Sequence, residues 1–285
     1  MDARPVGIGH TKPTATMLIL FILAALAYGA ATFAYGSRTA EREHDDDSGP
    51  FRYARLLLAL GAALHFFAIG AQCIEGDHPL KNIYLATSFG TLIAVGGYLA
   101  LARPGRGLDA LGPVLAPLGL IGLALGVMFS DVVGTAGSVP GGKDVGSAHV
   151  GFATAGLAGF TLASGVAGLY LGMARRLRRK LYRPGRGGLS LQGLDRLHHR
   201  LVLLVTPVFT LAIVTGVLWT VEVGGLDQLR GRVFEVAAAG VAWLASVVLL
   251  VSRAIWGTRG RRSAWLTLLA FIMTILIVVS YGVRS

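Results

Sequence analysis

Three observations make the chain an all-α, polytopic membrane protein, a bundle of about eight transmembrane helices. Only 14% of its residues are charged, 54% are hydrophobic and the mean hydropathy is +0.64, whereas an ordinary soluble domain is about 25% charged. Apolar stretches of about 20 residues recur along the chain, the length that crosses a hydrocarbon core about 30 Å thick at about 1.5 Å per residue. None of them has the period-two alternation of a barrel, and unpaired backbone groups are so costly in lipid that such stretches should be helices. The same composition excludes a disordered chain, and a single cysteine, Cys73, excludes a disulfide scaffold.

The first segment, Met17–Gly36, follows residues 1–16, expected to form an outer N-terminal tail. Arg4 and Lys12 precede it as in a signal peptide, but the apolar run exceeds a typical h-region and no clear A-x-A site follows, so a retained helix is expected. Segments two and three run Tyr53–Ile74 and Ile83–Ala102. The fourth, Leu108–Asp131, holds Pro113 and Pro117, both expected to kink it, as is Pro207 in the sixth. The fifth, Ala148–Met173, carries Gly151, Gly156, Gly159, Gly165, Gly168 and Gly172, small residues that let membrane helices approach closely. Arg200–Val221, Val233–Ser252 and Ala264–Val283 complete the set, and residues 17–283 form one eight-helix domain.

The formal charge of +11, from 26 basic and 15 acidic residues, would suggest nucleic acid in a soluble protein. Here the basic residues lie between hydrophobic segments, so topology explains them and no nucleic-acid partner is expected. Arg175, Arg176, Arg178, Arg179, Lys180, Arg183, Arg186, Arg196 and Arg200 crowd the fifth connection, and Arg253, Arg259, Arg261 and Arg262 the seventh. Basic loops stay in the cytoplasm, which puts both termini outside in a multi-pass plasma (inner) membrane protein.

Ionisable groups inside a membrane segment are costly and therefore functional-site candidates. His65 lies twelve residues beyond Tyr53, a rise of about 18 Å that takes it into the outer half. His149 opens the fifth segment at the outer surface and His78 stands in an outer connection. Neutral imidazole is a haem axial ligand when its other nitrogen is oriented by an acceptor. His65 can equally be a packing residue bonded to a neighbouring helix, His149 an interfacial histidine and His78 a solvated one. His198 and His199 are expected at lipid headgroups, and they, His10 and His44 are given no catalytic role. The acidic residues Glu75, Asp131, Glu222 and Glu235 fall at outer helix ends, which argues against ion-coupled transport. Patterns of the dithiol, zinc-protease, P-loop and serine-hydrolase kinds are missing, and Gly134–Gly146 is expected to be an outer loop.

The run Gly76-Asp-His-Pro-Leu-Lys-Asn-Ile-Tyr-Leu-Ala-Thr-Ser-Phe89 resembles the segment that opens a membrane helix in cytochrome c assembly proteins of the CcsA/ResC/HemX type. Ser147–Lys180, a histidine-led helix with a basic end, Leu194–Trp219 with its Thr-Gly-Val-Leu-Trp, and the Trp256-Gly-Thr-Arg-Gly-Arg-Arg turn are similar to later parts of that family, in the same order. The resemblance implies a non-enzymatic cytochrome c biogenesis factor that binds or relays haem, a transient haem b, at the outer face. Its partners would be apocytochrome c or a second membrane assembly protein, with the lipid bilayer around it. It also implies haem-iron ligation by His149 and, as in HemX/YpjD-like members, by His65. Two departures place the chain closer to that branch. Trp219–Glu235 holds only Trp219 where haem-handling members have a tryptophan-rich loop, and Arg253 stands where a second haem-site histidine is expected. The alternative is a HemX-like regulatory or structural membrane protein that organises partners without haem.

Overall fold

The computed structural model describes residues 15–41, 50–74, 78–80, 83–102, 108–129, 143–180, 190–223 and 230–284. The helices are α1 (Ala15–Glu41), α2 (Pro50–Ile74), α3 (Ile83–Leu101), α4 (Gly112–Met128), α5 (Lys143–Arg178), α6 (Leu191–Val223), α7 (Val233–Trp256) and α8 (Arg261–Arg284), with a 3-10 turn at Leu108–Leu111. Among the described residues there is no strand, and eight helices are long and apolar enough to cross a membrane. This is the expected all-α, multi-pass architecture. The outer tail, residues 1–16, falls outside the described residues up to position 14, and so does most of the Gly134–Gly146 stretch.

The chain packs as two groups of four helices, α1 to α4 and α5 to α8, with α5 as the wall between them. Helices α1 to α4 bury one core around Tyr28, Tyr35, Leu58 and Tyr98, which also takes in Ala158, Leu162 and Val166 of α5. Phe160, Ala163 and Ala167 leave α5 on its other side, toward Phe209 and Val202 of α6, Ala242 and Leu249 of α7 and Ala264 and Ala270 of α8. Two apolar stripes on opposite sides make α5 the common wall, the pattern of a helix buried on both faces. Leucines and isoleucines such as Leu26, Ile121, Leu204 and Leu218 point outward, where lipid replaces water as their solvent.

The glycine expectation holds at particular positions. A Cβ on Gly159 would lie 2.5 Å from Val205 Cγ2, and one on Gly156 3.0 Å from Phe209 Cδ2, so these two let α6 sit against α5. Gly165 takes Leu111 in the same way, whereas nothing lies within 4 Å of the Cβ position at Gly168 or Gly172. For those two the close-approach expectation is corrected: they lie on the exposed face of α5, while Ala167 and Leu171 beside them are the residues packed on α8.

The prolines divide similarly. Pro117 and Pro207 lie inside continuous helices, but Pro113 occupies the first turn of α4. The helix starts only at Gly112, and at its start a missing N–H removes no intrahelical bond, so the expected kink at Pro113 is corrected to a helix start. Helices α5 and α6 are longer than their apolar segments. The 36 residues of α5 rise about 54 Å, and α6 begins at Leu191 rather than Arg200.

Gly159→Leu should force Val205 aside and cost about 1–3 kcal/mol of stability by overpacking, read as a lower unfolding temperature in detergent. Gly168→Ala should leave that temperature unchanged or raised. Equal losses in the two variants would refute the account of α5 packing.

Candidate functional site

His65 is fully buried in the first group of helices. Tyr28 of α1 fills a slot between Gly61 and Gly119, where added Cβ atoms would lie 3.0 and 2.7 Å from its ring. That places the Tyr28 hydroxyl 3.3 Å from His65 Nδ1, while His65 Nε2 lies 2.9 Å from Ser88 Oγ on α3. Both ring nitrogens are engaged, and one imidazole ties three helices together. To coordinate iron, His65 would have to give up one of these bonds. Below this tie, the hydroxyls of Tyr35 and Tyr98 meet at 3.3 Å and Arg55 donates to the Leu99 carbonyl.

His149 has different surroundings. Its Nδ1 lies 2.7 Å from the Ala212 carbonyl of α6. A carbonyl only accepts, so Nδ1 carries the proton, and in the neutral ring Nε2 keeps its lone pair. Nε2 makes no hydrogen bond to a described residue. The seat is a stripe of α6 at helical spacing, Ala212, Gly216 and Trp219. A Cβ on Gly216 would stand 2.7 Å from His149 Cε1, so only glycine admits the ring, and the Trp219 ring lies 5.9 Å away at 30°. The indole Nε1 is buried without a hydrogen-bond partner among the described residues. The Arg232 guanidinium lies within electrostatic range of His149 and bonds Tyr281 at 2.6 Å.

His65 and His149 therefore share no partner among the described residues. His78 is exposed, with its Nδ1 accepting from the Leu80 amide. No group of three or more His, Cys, Asp or Glu among the described residues is arranged to hold a metal ion.

At the arginine-rich end the headgroup expectation for His198 is corrected. His198 is buried and its Nε2 lies 2.8 Å from Thr267 Oγ1 of α8, because α6 starts early enough to carry it inside. One helical turn earlier, Asp195 accepts from Arg253 at 2.9 Å and from the Gly260 amide at 3.1 Å. One carboxylate therefore joins the start of α6, the end of α7 and the turn to α8. That turn depends on Gly257 and Gly260, at φ 61° and 79°, a region that side chains disfavour. The position of Arg253, where a second haem-site histidine was expected, is committed to this ion pair.

The described residues thus form a bundle of eight apolar helices in which His149, near the start of α5, is oriented against the last turns of α6. A family model described as Cytochrome C assembly protein matches residues 55–285, so the chain belongs to the cytochrome c assembly protein family, with a role in cytochrome c biogenesis. No curated protein and no solved structure matches the chain. The match begins in α2 and takes in both histidine sites.

Sequence reasoning singled out both histidines but missed their partners. Gly216 and Trp219 stood in the Thr-Gly-Val-Leu-Trp run, whose spacing of three puts both on one face of α6. Asp195 and Tyr28 gave no local signal.

Asp195→Ala would strand the Arg253 guanidinium, whose side chain is 12% exposed, and should cost about 3–5 kcal/mol. Asp195→Ala with Arg253→Met should recover a large part of it, since no buried charge is then left over. A double variant no more stable in detergent than Asp195→Ala would contradict the pairing.

Proposed function

We propose that this protein is a non-enzymatic factor of cytochrome c biogenesis that holds haem transiently at the outer face of the plasma (inner) membrane, through His149. The observation that carries the reading is the Ala212 carbonyl 2.7 Å from His149 Nδ1, which leaves Nε2 as a donor to iron. An acceptor on the far nitrogen is the usual device for orienting a ligating histidine. Trp219 supplies a flat face beside the imidazole and a buried indole N–H still without a partner. Arg232 supplies a cation suited to a propionate.

Haem is the cargo here, and what it brings when bound is an iron that accepts an axial imidazole. This chain's own residues orient that imidazole and offer a ring to stack against. The basic connections after α5 and α7 support a cytoplasmic position for that end, by the positive-inside rule. His149 and both termini are then outside, where apocytochrome c or a second membrane assembly protein would receive the haem. His65, the other expected ligand, is read as the pin of the first three helices, since both its nitrogens are used.

The test is the absorption spectrum of the detergent-purified protein supplied with haem b, oxidised and then reduced. A Soret band should appear in the unaltered protein and fall at least about tenfold in His149→Ala, an iron–imidazole bond being worth well above 1.4 kcal/mol. Gly216→Val, which leaves the ligand in place but blocks its seat, should weaken the band too. His65→Ala should instead lower the unfolding temperature, leaving two buried hydroxyls short of a partner at a cost of about 1–3 kcal/mol, with the band kept by the folded fraction. Colourless protein after haem is supplied would favour the HemX-like, partner-organising alternative.

A further inference from the structure

An open, groove-like cavity of about 530 Å³ lies between α6 and α7 at the arginine-rich end, lined in part by His199, Arg253 and Arg259 and in part by Leu203, Val251 and Ala254. Two of its polar atoms are anomalous. Arg253 uses Nη2 on Asp195, but its Nη1 is buried with no hydrogen-bond partner among the described residues, and so is Nδ1 of His199. A buried donor without an acceptor is a costly thing to keep. Arg253 Nη1 is such a donor, His199 Nδ1 is one in the tautomer that places the proton there, and both residues line the cavity, which calls for an acceptor that enters it.

The charge balance gives the sign of that acceptor. Asp195 offsets Arg253, while Arg259 is a further cation on the cavity wall. The ligand should therefore be an anion with several oxygens. The other wall gives its second property. Leu203 is one helical turn beyond His199 and 54% exposed, and Val251 is 44% exposed. Both belong to membrane-spanning helices, so what meets them there is acyl chain.

We propose that this cavity is a binding site for an anionic phospholipid. The phosphate accepts from Arg253 Nη1, His199 Nδ1 and Arg259, and one acyl chain runs along the α6–α7 groove past Leu203 and Val251. The occupant would complete the same joint that Asp195 makes between the start of α6, the end of α7 and the turn to α8. The site lies at the arginine-rich end, away from His149, and does not depend on haem binding.

The experiment uses the full chain, delipidated in a mild detergent and supplied with phosphatidylglycerol, with phosphatidylcholine or with inorganic phosphate. Retained lipid is counted by native mass spectrometry, and unfolding temperature is followed in parallel. Phosphatidylglycerol should be retained in preference to phosphatidylcholine and should raise the unfolding temperature. Arg259→Gln should reduce its retention about fivefold, as expected for one interfacial cation, and Arg259→Gln with His199→Ala should reduce it further. Arg259 is exposed, so its replacement leaves the bundle core untouched. Arg178→Gln, an exposed arginine at the same end outside the cavity lining, should change nothing. Equal retention of the two lipids, an undiminished preference in the double variant, or an equal loss in Arg178→Gln would overturn the proposal. So would inorganic phosphate stabilising the protein as well as phosphatidylglycerol does, because the acyl-chain wall would then be irrelevant.

Discussion

Hydrocarbon offers no hydrogen bonds, so each polar group at membrane depth must find its partner inside the protein. The helices settle the backbone, and side chains follow the same rule by two routes. Threonines such as Thr32, Thr87, Thr154, Thr206 and Thr220 turn back onto the carbonyl four residues earlier. Larger polar groups reach across to another helix, as in Tyr28–His65–Ser88, Trp243–Thr210, His198–Thr267 and Ser280–Glu235. A polar atom that does neither stands out against this background, and Nε2 of His149, Nη1 of Arg253 and Nδ1 of His199 are of that kind.

Much of the architecture was readable from the chain because the length of an apolar run in lipid is set by bilayer thickness. All eight segments are helices near their expected places, and the largest discrepancies are at the ends of α5 and α6. There Asp195 and His198 made the chain look like loop, yet they are buried by contacts with Arg253 and Thr267, which lie far along the sequence. Hydropathy reads the solvent around a helix and is blind to partners of that kind. Pro113 shows a subtler limit: a proline in an apolar run reads as a kink, and only the preceding 3-10 turn makes it a helix start.

The candidate site was legible in part. His149 drew notice as a histidine opening an apolar segment, but what gives it an oriented proton is a main-chain oxygen of α6, which no side-chain pattern announces. The glycine that admits the ring and the tryptophan beside it were visible only as letters in a run. His65 was equally conspicuous, and its environment sets the two histidines apart: one has spent both nitrogens on other helices, and the other has spent one.

Every side-chain hydrogen bond described between helices stays within one group of four. Those of His65, Tyr35 and Arg55 join α1 to α3, and those of His149, Asp195, His198, Glu235, Trp243 and Arg232 join α5 to α8. Across the seam, the contacts seen at Gly90 with Thr154, Gly97 with Leu162 and Gly165 with Leu111 are small residues against methyl groups. For a chain threaded into the bilayer from its N-terminus, this division permits assembly in two stages. The His65 imidazole has both its partners as soon as α3 is inserted, and no polar group of this network has to wait in lipid for α5. The second group can then dock as a preassembled unit against an apolar wall, and the seam between them can be remade without breaking any of the hydrogen bonds named above.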